Sequence, residues 1–519
     1  MTVPPIVPAP QRLTASGDTR AIGEALLVTG DEEVREVVEV LGRLAPGWAG
    51  LELRWVDDDA SADVLVRLGP PDLAPDLPEP SGPDPSGGTS GDERYSVAPV
   101  DGRLVLRGAS PHGAFRGLTT VLQAAAGTEL PLFAAADAPR TRWRGLSLDV
   151  ARFFLPPAQI EKVIDLMALY RLDVLHLHLT DSQAWRLELA DRPALTGPDV
   201  GSPGHYTADD LAGLVAYAAR RFVTVVPEID LPGHVLAALR AHPELRGGVP
   251  PLHPLLGHLS PSVPAAMAFA REAVEALVGV SPSPYVHVGG DEAFGMPDEE
   301  YVAFVRVVHG WVREAGKRPV AWQEASRARA FGPGDVLQLW IAPSDAPRED
   351  RVRAAAPADL AHLVDAFLAT FREAPGDLGR ALEDGAAVLL SPSLPFYLDR
   401  RYAEPSTDPA QTADLTRLGH AGYPRARTSD LSAWSPDDVG GLDPAAVAGM
   451  EAAIWAESIE SFDDLAMLLL PRLPVLAELM WTGPRRPWPD LATRLRPHAA
   501  AWTRSGFGAY YRSADLFPA

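Results

Sequence analysis

Residues 222–234 read FVTVVPEIDLPGH, an apolar run from Phe222 that ends in two carboxylates, a Pro-Gly pair and His234. A short apolar run rich in β-branched residues is typical of a buried strand. In a barrel of parallel strands, the reactive residues come directly after each strand, at the carboxyl-terminal face. The stretch therefore predicts a core strand over Phe222–Glu228 whose end carries a functional site.

The same rhythm recurs from about residue 139 onward. Seven more strand candidates are Leu146–Val150, Asp173–Leu179, Tyr285–Gly289, Pro319–Trp322, Val336–Trp340, Ala387–Ser391 and Glu451–Trp455. Helical periodicity covers Pro156–Tyr170, Ala208–Arg221, Pro264–Val278, Asp298–Ala315 and Ser461–Leu470. Eight strands alternating with helices predict an α/β fold, a (β/α)8 TIM barrel. A doubly wound open sheet is the alternative, and the short spacing between some strands fits neither architecture perfectly.

Residues 1–138 are expected to form a small α+β domain that precedes the barrel, which takes residues 139–519 with a C-terminal helical segment. Its strand candidates are Ala25–Val28, Ala62–Leu68 and a hairpin of Arg94–Val97 with Arg103–Leu106, and its helix candidates are Glu32–Leu44 and Gly113–Ala125. Residues 69–93 are dense in Pro, Gly, Asp and Ser. This composition favours a flexible acidic loop, more simply a tolerated insertion than a functional tail.

The composition excludes several classes of protein. A chain of 519 residues with 46% hydrophobic and 22% charged residues is typical of a soluble globular protein with two or more domains. A net charge of −23 argues against nucleic acid or anionic lipid as a partner. The absence of cysteine excludes disulfides and a cysteine nucleophile. No apolar run suits a membrane span and no secretory signal is visible, so we expect a cytoplasmic protein, or a secreted one if the chain was trimmed.

Polar and aromatic side chains follow every predicted strand. The first four strands lead into Asp149–Arg152, His176–Asp181, Glu228–His234 and His287–Glu292, the seventh leads to Tyr397–Asp399, and the fifth, sixth and eighth end near Trp322, Trp340 and Trp455, the last followed by Glu457. One such residue at one strand end means little. Together they predict a pocket of tryptophans, carboxylates, an arginine and a histidine at one face of the barrel.

Each of these residues also has a purely structural interpretation. The alternatives are a helix cap at Asp291-Glu292, a loop residue at His234, a core histidine at His287, barrel-core tryptophans, and an ion pair of Arg152 with Asp149 or Glu188. The histidines show neither H-x-x-x-H nor H-E-x-x-H spacing, so we expect no metal and no cofactor. The coincidence at strand ends favours the pocket.

An aromatic pocket with carboxylates suggests a sugar as the substrate. Pyranose rings have apolar faces that pack on indole, and hydroxyls that bind charged partners. Cleavage of a glycosidic bond usually needs two carboxylates several ångströms apart. Asp291 and Glu292 are adjacent and point in diverging directions, so they are a poor acid and nucleophile pair. The residues alone leave this question open.

The chain resembles glycoside hydrolase family 20, the β-N-acetylhexosaminidases, over essentially its whole length. The resemblance rests on residues 144–152, His176–Trp185, Val226–His234, His287–Glu292, Tyr397–Asp399 and Ala453–Glu457. The pairing of P-E-I-D-x-P-G-H with H-x-G-G-D-E is highly specific. In this family the substrate assists its own hydrolysis, so a second protein carboxylate is not needed as nucleophile.

The resemblance implies a role for each matching residue. Glu292 would be the general acid and then the general base, Asp291 would hold the 2-acetamido N–H, and Tyr397 would bind the acetamide oxygen. Asp181 and His234 would form a hydrogen-bonded chain to Glu292. The expected substrate-binding residues are Arg152, Trp322, Trp340, Asp399, Trp455 and Glu457.

Some positions depart from the commonest family pattern, namely Phe153, Ser182, Ala184 and Gln323. None removes a residue of the expected catalytic set. Residues 341–384 look long for this connection, with a helical portion at Ala358–Phe371, and could form a wall that selects the leaving group, a dimer contact or a neutral insertion. The sequence thus predicts a retaining exo-β-N-acetylhexosaminidase acting on a glycan, with a disaccharide-releasing variant or a non-catalytic glycan-binding barrel as alternatives. GlcNAc versus GalNAc preference and oligomeric state, monomer or homodimer, stay open.

Overall fold

The computed structural model describes residues 4–518 except 73–76, 78, 126, 198–199, 202, 248–255, 343–344, 346–348, 356–362 and 485–486. The first domain is a seven-stranded sheet of order β1-β7-β5-β6-β4-β2-β3. Its strands are β1 (Arg12–Ala21), β2 (Ala25–Gly30), β3 (Glu52–Trp55), β4 (Val64–Leu68), β5 (Tyr95–Val100), β6 (Arg103–Gly108) and β7 (Glu129–Asp137). Two helices, α1 (Arg35–Trp48) and α2 (Pro111–Ala124), pack on the sheet.

The predicted elements of this domain are confirmed, including the antiparallel hairpin of β5 and β6. The sequence prediction missed β1, β3 and β7. Strand β1 is mostly polar and exposed, β3 has only four residues, and β7 contains a proline. The polar pattern of β1, the shortness of β3 and the proline in β7 each weaken the signal on which strand prediction depends.

The prediction of a flexible loop over residues 69–93 is wrong for its second half. Ser81 forms a bridge with Thr141, and the carbonyl of Pro85 accepts a hydrogen bond of 2.8 Å from Ser283. Glu93 is buried and pairs with Arg144 at 2.8 Å. Composition misled here because the segment is ordered by polar contacts with the barrel rather than by an apolar core of its own. Residues 73–76 and 78 lie outside the described residues.

The second domain is a closed barrel of eight parallel strands, which confirms the predicted fold and excludes the open sheet. The strands are β8 (Arg144–Asp149), β9 (Val174–His178), β10 (Thr224–Glu228), β11 (Tyr285–His287), β12 (Arg318–Trp322), β13 (Val336–Leu339), β14 (Ala387–Leu390) and β15 (Val447–Ile454). Strand β15 pairs with β8 and closes the ring. Each predicted barrel strand is present, with its ends shifted by a few residues.

Helices surround the barrel. They are α3 (Pro157–Leu169), α4 (Ala208–Ala219), α5 (Leu236–Ala241), α6 (Pro264–Val280), α7 (Asp298–Glu314), α8 (Glu349–Ala355), α9 (Val364–Glu383), α10 (Ser393–Phe396), α11 (Asp414–Arg417), α12 (Phe462–Leu469), α13 (Arg472–Thr482), α14 (Trp488–Leu495) and α15 (Ala499–Arg504). Helix α9 contains the end of the predicted helical portion 358–371, whose first residues lie outside the described ones. Among the described residues no single helix is long and apolar enough to cross a membrane; the bent pair α12–α13 passes that test by composition.

The barrel interior is layered because inward-facing side chains recur every second residue along a strand. An apolar layer fills the amino-terminal end and contains Trp143, Val174, Val226, Tyr285, Val320, Val336, Leu389 and Ala448. Two or three residues further along the strands lies a second buried layer, and this one is polar. It contains His176, Glu228, His287, Trp322, Gln338 and Glu451. The carboxyl-terminal mouth of the barrel is built directly on this polar layer.

A buried ion pair joins the first domain to the barrel. Asp137, at the end of β7, accepts hydrogen bonds from Arg171 at 2.7 Å, Tyr95 at 2.7 Å and Trp481 at 3.0 Å. The Arg171 guanidinium also stacks over the Trp481 ring. Both charged side chains are fully buried, so each depends on the other for compensation of its lost hydration.

We expect Asp137→Ala to lower the free energy of unfolding by about 3–5 kcal/mol, because it leaves Arg171 buried and unpaired. Urea unfolding measures this change. The matched control is Glu32→Gln, which removes an exposed ion pair with Arg35 and should cost less than about 1 kcal/mol. Equal effects of the two substitutions would show that the buried pair does not hold the domains together.

Candidate active site

A cavity of about 280 Å³ opens at the carboxyl-terminal mouth of the barrel. All the predicted site residues except Trp322 line it: Arg152, Asp181, His234, Asp291, Glu292, Trp340, Tyr397, Asp399, Trp455 and Glu457. Residues from seven strand ends therefore meet, although they are up to 305 positions apart in the sequence. The prediction that strand ends build one pocket agrees with this placement.

Trp322 lies one step deeper than predicted. It belongs to the polar layer below the cavity, is 1% exposed, and donates a hydrogen bond of 2.9 Å from Nε1 to Glu228. Its ring packs against that of Trp455, with centroids 5.9 Å apart. Trp322 thus supports the cavity wall from behind, so the barrel-core interpretation describes its surroundings better than direct lining does.

The segment after β11 bends sharply and presents two acidic residues to the cavity. Gly289 and Gly290 have φ values of 70° and 107°, in the region that favours glycine. A Cβ at position 289 would collide with the carboxylate of Asp230. Glu292 itself has φ 47°, a costly conformation for a non-glycine residue that is characteristic of functional sites. The Gly-Gly pair is therefore required for the position of Asp291 and Glu292, and neither residue lies in a helix.

A chain of side chains runs from Glu292 into the protein. His234 Nε2 lies 3.5 Å from Glu292 Oε2, and His234 Nδ1 lies 3.2 Å from Asp181 Oδ1. Burial opposes a charge on His234, but Asp181 and Asp230 raise its pKa well above the usual range. His234 can thus act as a charged donor between the two carboxylates, as the sequence resemblance implies.

Asp291 and Asp230 form a pair of like charges beside His234. Oxygen atoms of the two carboxylates and a nitrogen of His234 lie within 4.8 Å of one another. Burial and then Asp230 raise the pKa of Asp291 well above its usual range, and burial raises that of Asp230 to about 6. Two adjacent buried carboxylates cannot both ionise at low cost, which is the reason that Asp230 raises the pKa of Asp291.

Arg152 forms the polar wall of the cavity. Its guanidinium pairs with Asp149 at 3.1 Å and with Asp181 at 2.7 Å, and lies 3.9 Å from Glu457. The predicted structural pair with Asp149 therefore exists, but Arg152 also faces the cavity and lies over the Trp455 ring. Arg152 can therefore hold Asp181 in place through their ion pair and also contact a ligand in the cavity.

Asp399 points into the cavity without a partner. Among the described residues, neither of its buried carboxylate oxygens accepts a hydrogen bond. Burial and then the nearby Glu457 raise the pKa of Asp399 to about 8. An orphaned buried carboxyl group is costly, and ligand hydroxyls would supply the missing hydrogen bonds.

Aromatic rings form the remaining wall. Tyr397 makes edge contacts with Trp455 at 5.8 Å and with Tyr423 at 5.7 Å, and Trp340 is fixed by a hydrogen bond of 3.0 Å from Nε1 to Glu324. Sequence reasoning missed several lining residues, namely His178, Asp230, Asp345, Phe367, Phe371, Ser393, His420, Gly422 and Tyr423. Asp230 and His178 were within quoted strand ends and could have been found. The others come from loops, from α9 and from α10, where no strand pattern marks them.

Three groups of buried side chains also have the geometry of metal ligands. They are His176, Glu228 and His287; His178, Glu228 and Asp230; and Asp230, His234 and Asp291. Trp322 donates a hydrogen bond to the Glu228 carboxylate, and nitrogen atoms of His178 and His287 also contact it. The two groups that contain Glu228 therefore already hold this carboxylate through protein contacts. The absence of a metal stays a prediction.

A cavity of tryptophans, tyrosines and acidic residues at the carboxyl-terminal mouth of a (β/α)8 barrel is typical of a glycoside hydrolase. The model of the glycosyl hydrolase family 20 catalytic domain matches residues 142–301 and 295–484, and the model of domain 2 of that family matches residues 3–138. The chain therefore belongs to glycosyl hydrolase family 20, and its activity is that of a β-N-acetylhexosaminidase.

Individual relatives agree with this assignment. The chain is 34% identical to a β-N-acetylhexosaminidase of Cellulomonas fimi over 90% of this chain and 87% of that protein. It is also similar to the N-acetyl-β-hexosaminidase of Streptomyces plicatus in complex with thio-NAglucal, with a TM-score of 0.81, 27% identity and coverage of 99% and 97%. A mutant of that enzyme in complex with its product GlcNAc gives the same values.

Arg152→Ala should raise KM and lower kcat/KM about 10- to 150-fold, the worth of a charge-assisted hydrogen bond to a substrate hydroxyl. Circular dichroism should show an intact fold. Steady-state kinetics on an aryl β-GlcNAc substrate check the prediction. A variant that unfolds, but whose remaining folded fraction has normal specific activity, would instead assign Arg152 a purely structural role.

Proposed function

We propose that this enzyme releases terminal β-linked GlcNAc or GalNAc with retention of configuration, and that the residues around the cavity serve the substrate's own acetamide as nucleophile. The observation that carries the proposal is the arrangement around Glu292. A histidine and an aspartate back Glu292 as a proton donor, and the same His234 Nε2 lies 3.8 Å from Asp291, which is also paired with Asp230. The two adjacent acidic residues share His234, but Asp291 also has Asp230 beside it, and we assign them different tasks.

Proton transfer belongs to Glu292 in this proposal. Its protonated carboxyl gives its proton to the glycosidic oxygen as the bond to the anomeric carbon breaks. The resulting carboxylate then takes a proton from the water that opens the cyclic intermediate. His234, held by Asp181, stabilises Glu292 in its charged form between the two steps. Because the anomeric carbon is attacked twice from opposite sides, the product keeps the β configuration.

The acetamide group is assigned to the aromatic side of the cavity. Tyr397 binds the acetamide oxygen and holds it under the anomeric carbon, and Trp340 and Trp455 enclose the group. Asp291 accepts the acetamide N–H and becomes the counterion of the oxazolinium cation. A nucleophile already attached to the substrate and held in attack geometry gains a large effective molarity.

The sugar hydroxyls are assigned to the polar side. Arg152, Asp399 and Glu457 converge there, and Asp399 lacks a hydrogen-bond partner among the described residues. The Streptomyces plicatus relative binds GlcNAc and thio-NAglucal, which supports an N-acetylhexosamine in the cavity of this chain.

Glu292→Gln should lower kcat about 10²–10⁴-fold on a β-linked GlcNAc disaccharide, the usual worth of general acid–base catalysis. The loss should be smaller on an aryl glycoside with an activated leaving group, which needs no proton. Glu299→Gln, on the exposed first turn of α7, is the matched control and should leave both activities unchanged. Equal losses of Glu292→Gln on both substrates would remove Glu292 from the acid role.

The nucleophile is tested by changing the substrate and the inhibitor. The enzyme should reject an aryl β-glucoside, which lacks the acetamide, and a thiazoline analogue of the cyclic intermediate should bind far more tightly than substrate. Asp291→Asn should weaken that inhibitor, because the counterion of its positive ring nitrogen is lost. A covalent glycosyl-enzyme formed with a 2-fluoro glycoside and seen by mass spectrometry would contradict the proposal.

A further inference from the structure

Glu228 is the most connected carboxylate of the polar layer, and nothing above gives it a task. It ends β10 and is fully buried. Its Oε1 lies 2.8 Å from His287 Nδ1 and accepts a hydrogen bond of 2.9 Å from Trp322. Its Oε2 lies 3.0 Å from His176 Nε2 and in closer contact with His178 Nδ1. One carboxylate thus gathers nitrogen atoms from three neighbouring strands.

The contact with His178 leads directly to the proton-transfer residues. While Nδ1 of His178 faces Glu228, its Nε2 lies 3.0 Å from Oδ2 of Asp181. Asp181 in turn contacts His234, which contacts Glu292. An unbroken sequence of side chains therefore connects Glu228, at the centre of the barrel, with the general acid at its mouth.

The charges along this sequence alternate. Burial opposes a charge on His178, but Glu228 and Asp181 raise its pKa well above the usual range. Burial would also favour a neutral Glu228, but its three histidines hold its pKa well below the usual range. The other charged or titratable groups that face this pair are Asp149, Asp230 and His176, and His176 has its pKa raised to about 9 between Glu228 and Glu451. A carboxylate on each side thus keeps His178 as an imidazolium.

We infer that Glu228 is a positioning residue of the hydrolytic reaction, which orients His178 and keeps it charged so that Asp181 and His234 hold Glu292 for proton transfer. The inference rests on the proposed role of Glu292. Glu228 touches neither substrate nor reacting atoms and acts through His178 alone. Loss of the carboxylate charge would leave His178 with one charged partner instead of two, and the support of Asp181 would weaken.

The chain offers a matched control in Glu451. This carboxylate is equally buried and belongs to the same polar layer, where it lies 2.8 Å from His176 and accepts hydrogen bonds from Gln338 at 3.0 Å and Trp143 at 3.1 Å. It does not touch His178. A role that merely stabilises the barrel would be shared by Glu228 and Glu451, whereas a role in proton transfer belongs to Glu228.

The decisive experiment compares Glu228→Gln with Glu451→Gln. A glutamine at 228 can still accept from Trp322 through its oxygen, while its amide faces the histidines in place of the second carboxylate oxygen. We expect Glu228→Gln to lower kcat on a β-linked GlcNAc disaccharide about 10- to 100-fold, with a smaller loss on the activated aryl glycoside. The alkaline limb of its pH–activity profile should also shift to lower pH. Without the carboxylate charge at position 228, His178 loses its proton at a pH nearer neutrality. Glu451→Gln should show neither the leaving-group dependence nor the shift.

Other outcomes overturn the inference. Equal losses on both substrates, or the same pH profile for both variants, would make Glu228 a structural residue. If Glu228→Gln does not fold, His178→Gln tests the same connection from its other side and should show the same leaving-group dependence. Glu292→Gln separates the two proposals: if it lacks leaving-group dependence, the proposed function fails, and if it alone shows that dependence, only the role of Glu228 fails.

Discussion

Inward-facing side chains of a closed barrel recur every second residue, so neighbouring strands must stack their inward residues in layers. In this enzyme the first layer is apolar and the second is polar. The active site is the third. Val226 and Val174 share the apolar layer, and the residues two positions further along their strands, Glu228 and His176, meet in the polar layer at 3.0 Å. The site at the mouth depends on this stacking.

Burial of the polar layer inside the barrel costs free energy, because its charged side chains lose their hydration. Contacts between carboxylates and histidines compensate for this loss. Carboxylates alternate with histidines, and each histidine of the layer lies beside at least one carboxylate. Breaking one member would leave the others uncompensated. Such a layer gives a rigid floor to the cavity, where tryptophans and acids must keep their positions while a sugar is distorted and released.

The strands of the barrel and the residues at their ends could be predicted from the sequence, whereas the polar layer and part of the cavity lining could not. The eight strands were predictable because each is a short apolar run, and the strand ends because parallel strands share one carboxyl-terminal face. The polar layer was not predictable from pattern alone: His287 and Trp322 stand inside apolar runs, where the sequence cannot show that they meet Glu228. The aromatic residues of α9 and the loop around Tyr423 were missed for another reason, since their contacts depend on how long connections fold back over the mouth.

The contacts of residues 79–93 with the barrel limit where the chain can be separated into two domains. The two family models meet between residues 138 and 142, which suggests a modular boundary. The structure places ionic partners across that boundary: Glu93 with Arg144, and Asp137 with Arg171. A barrel that begins at residue 139 would keep the guanidinium groups of Arg144 and Arg171. It would lose one carboxylate partner of each, Glu93 and Asp137. Recombination between relatives should therefore exchange the two domains together, because buried ion pairs cross the boundary between the two family models.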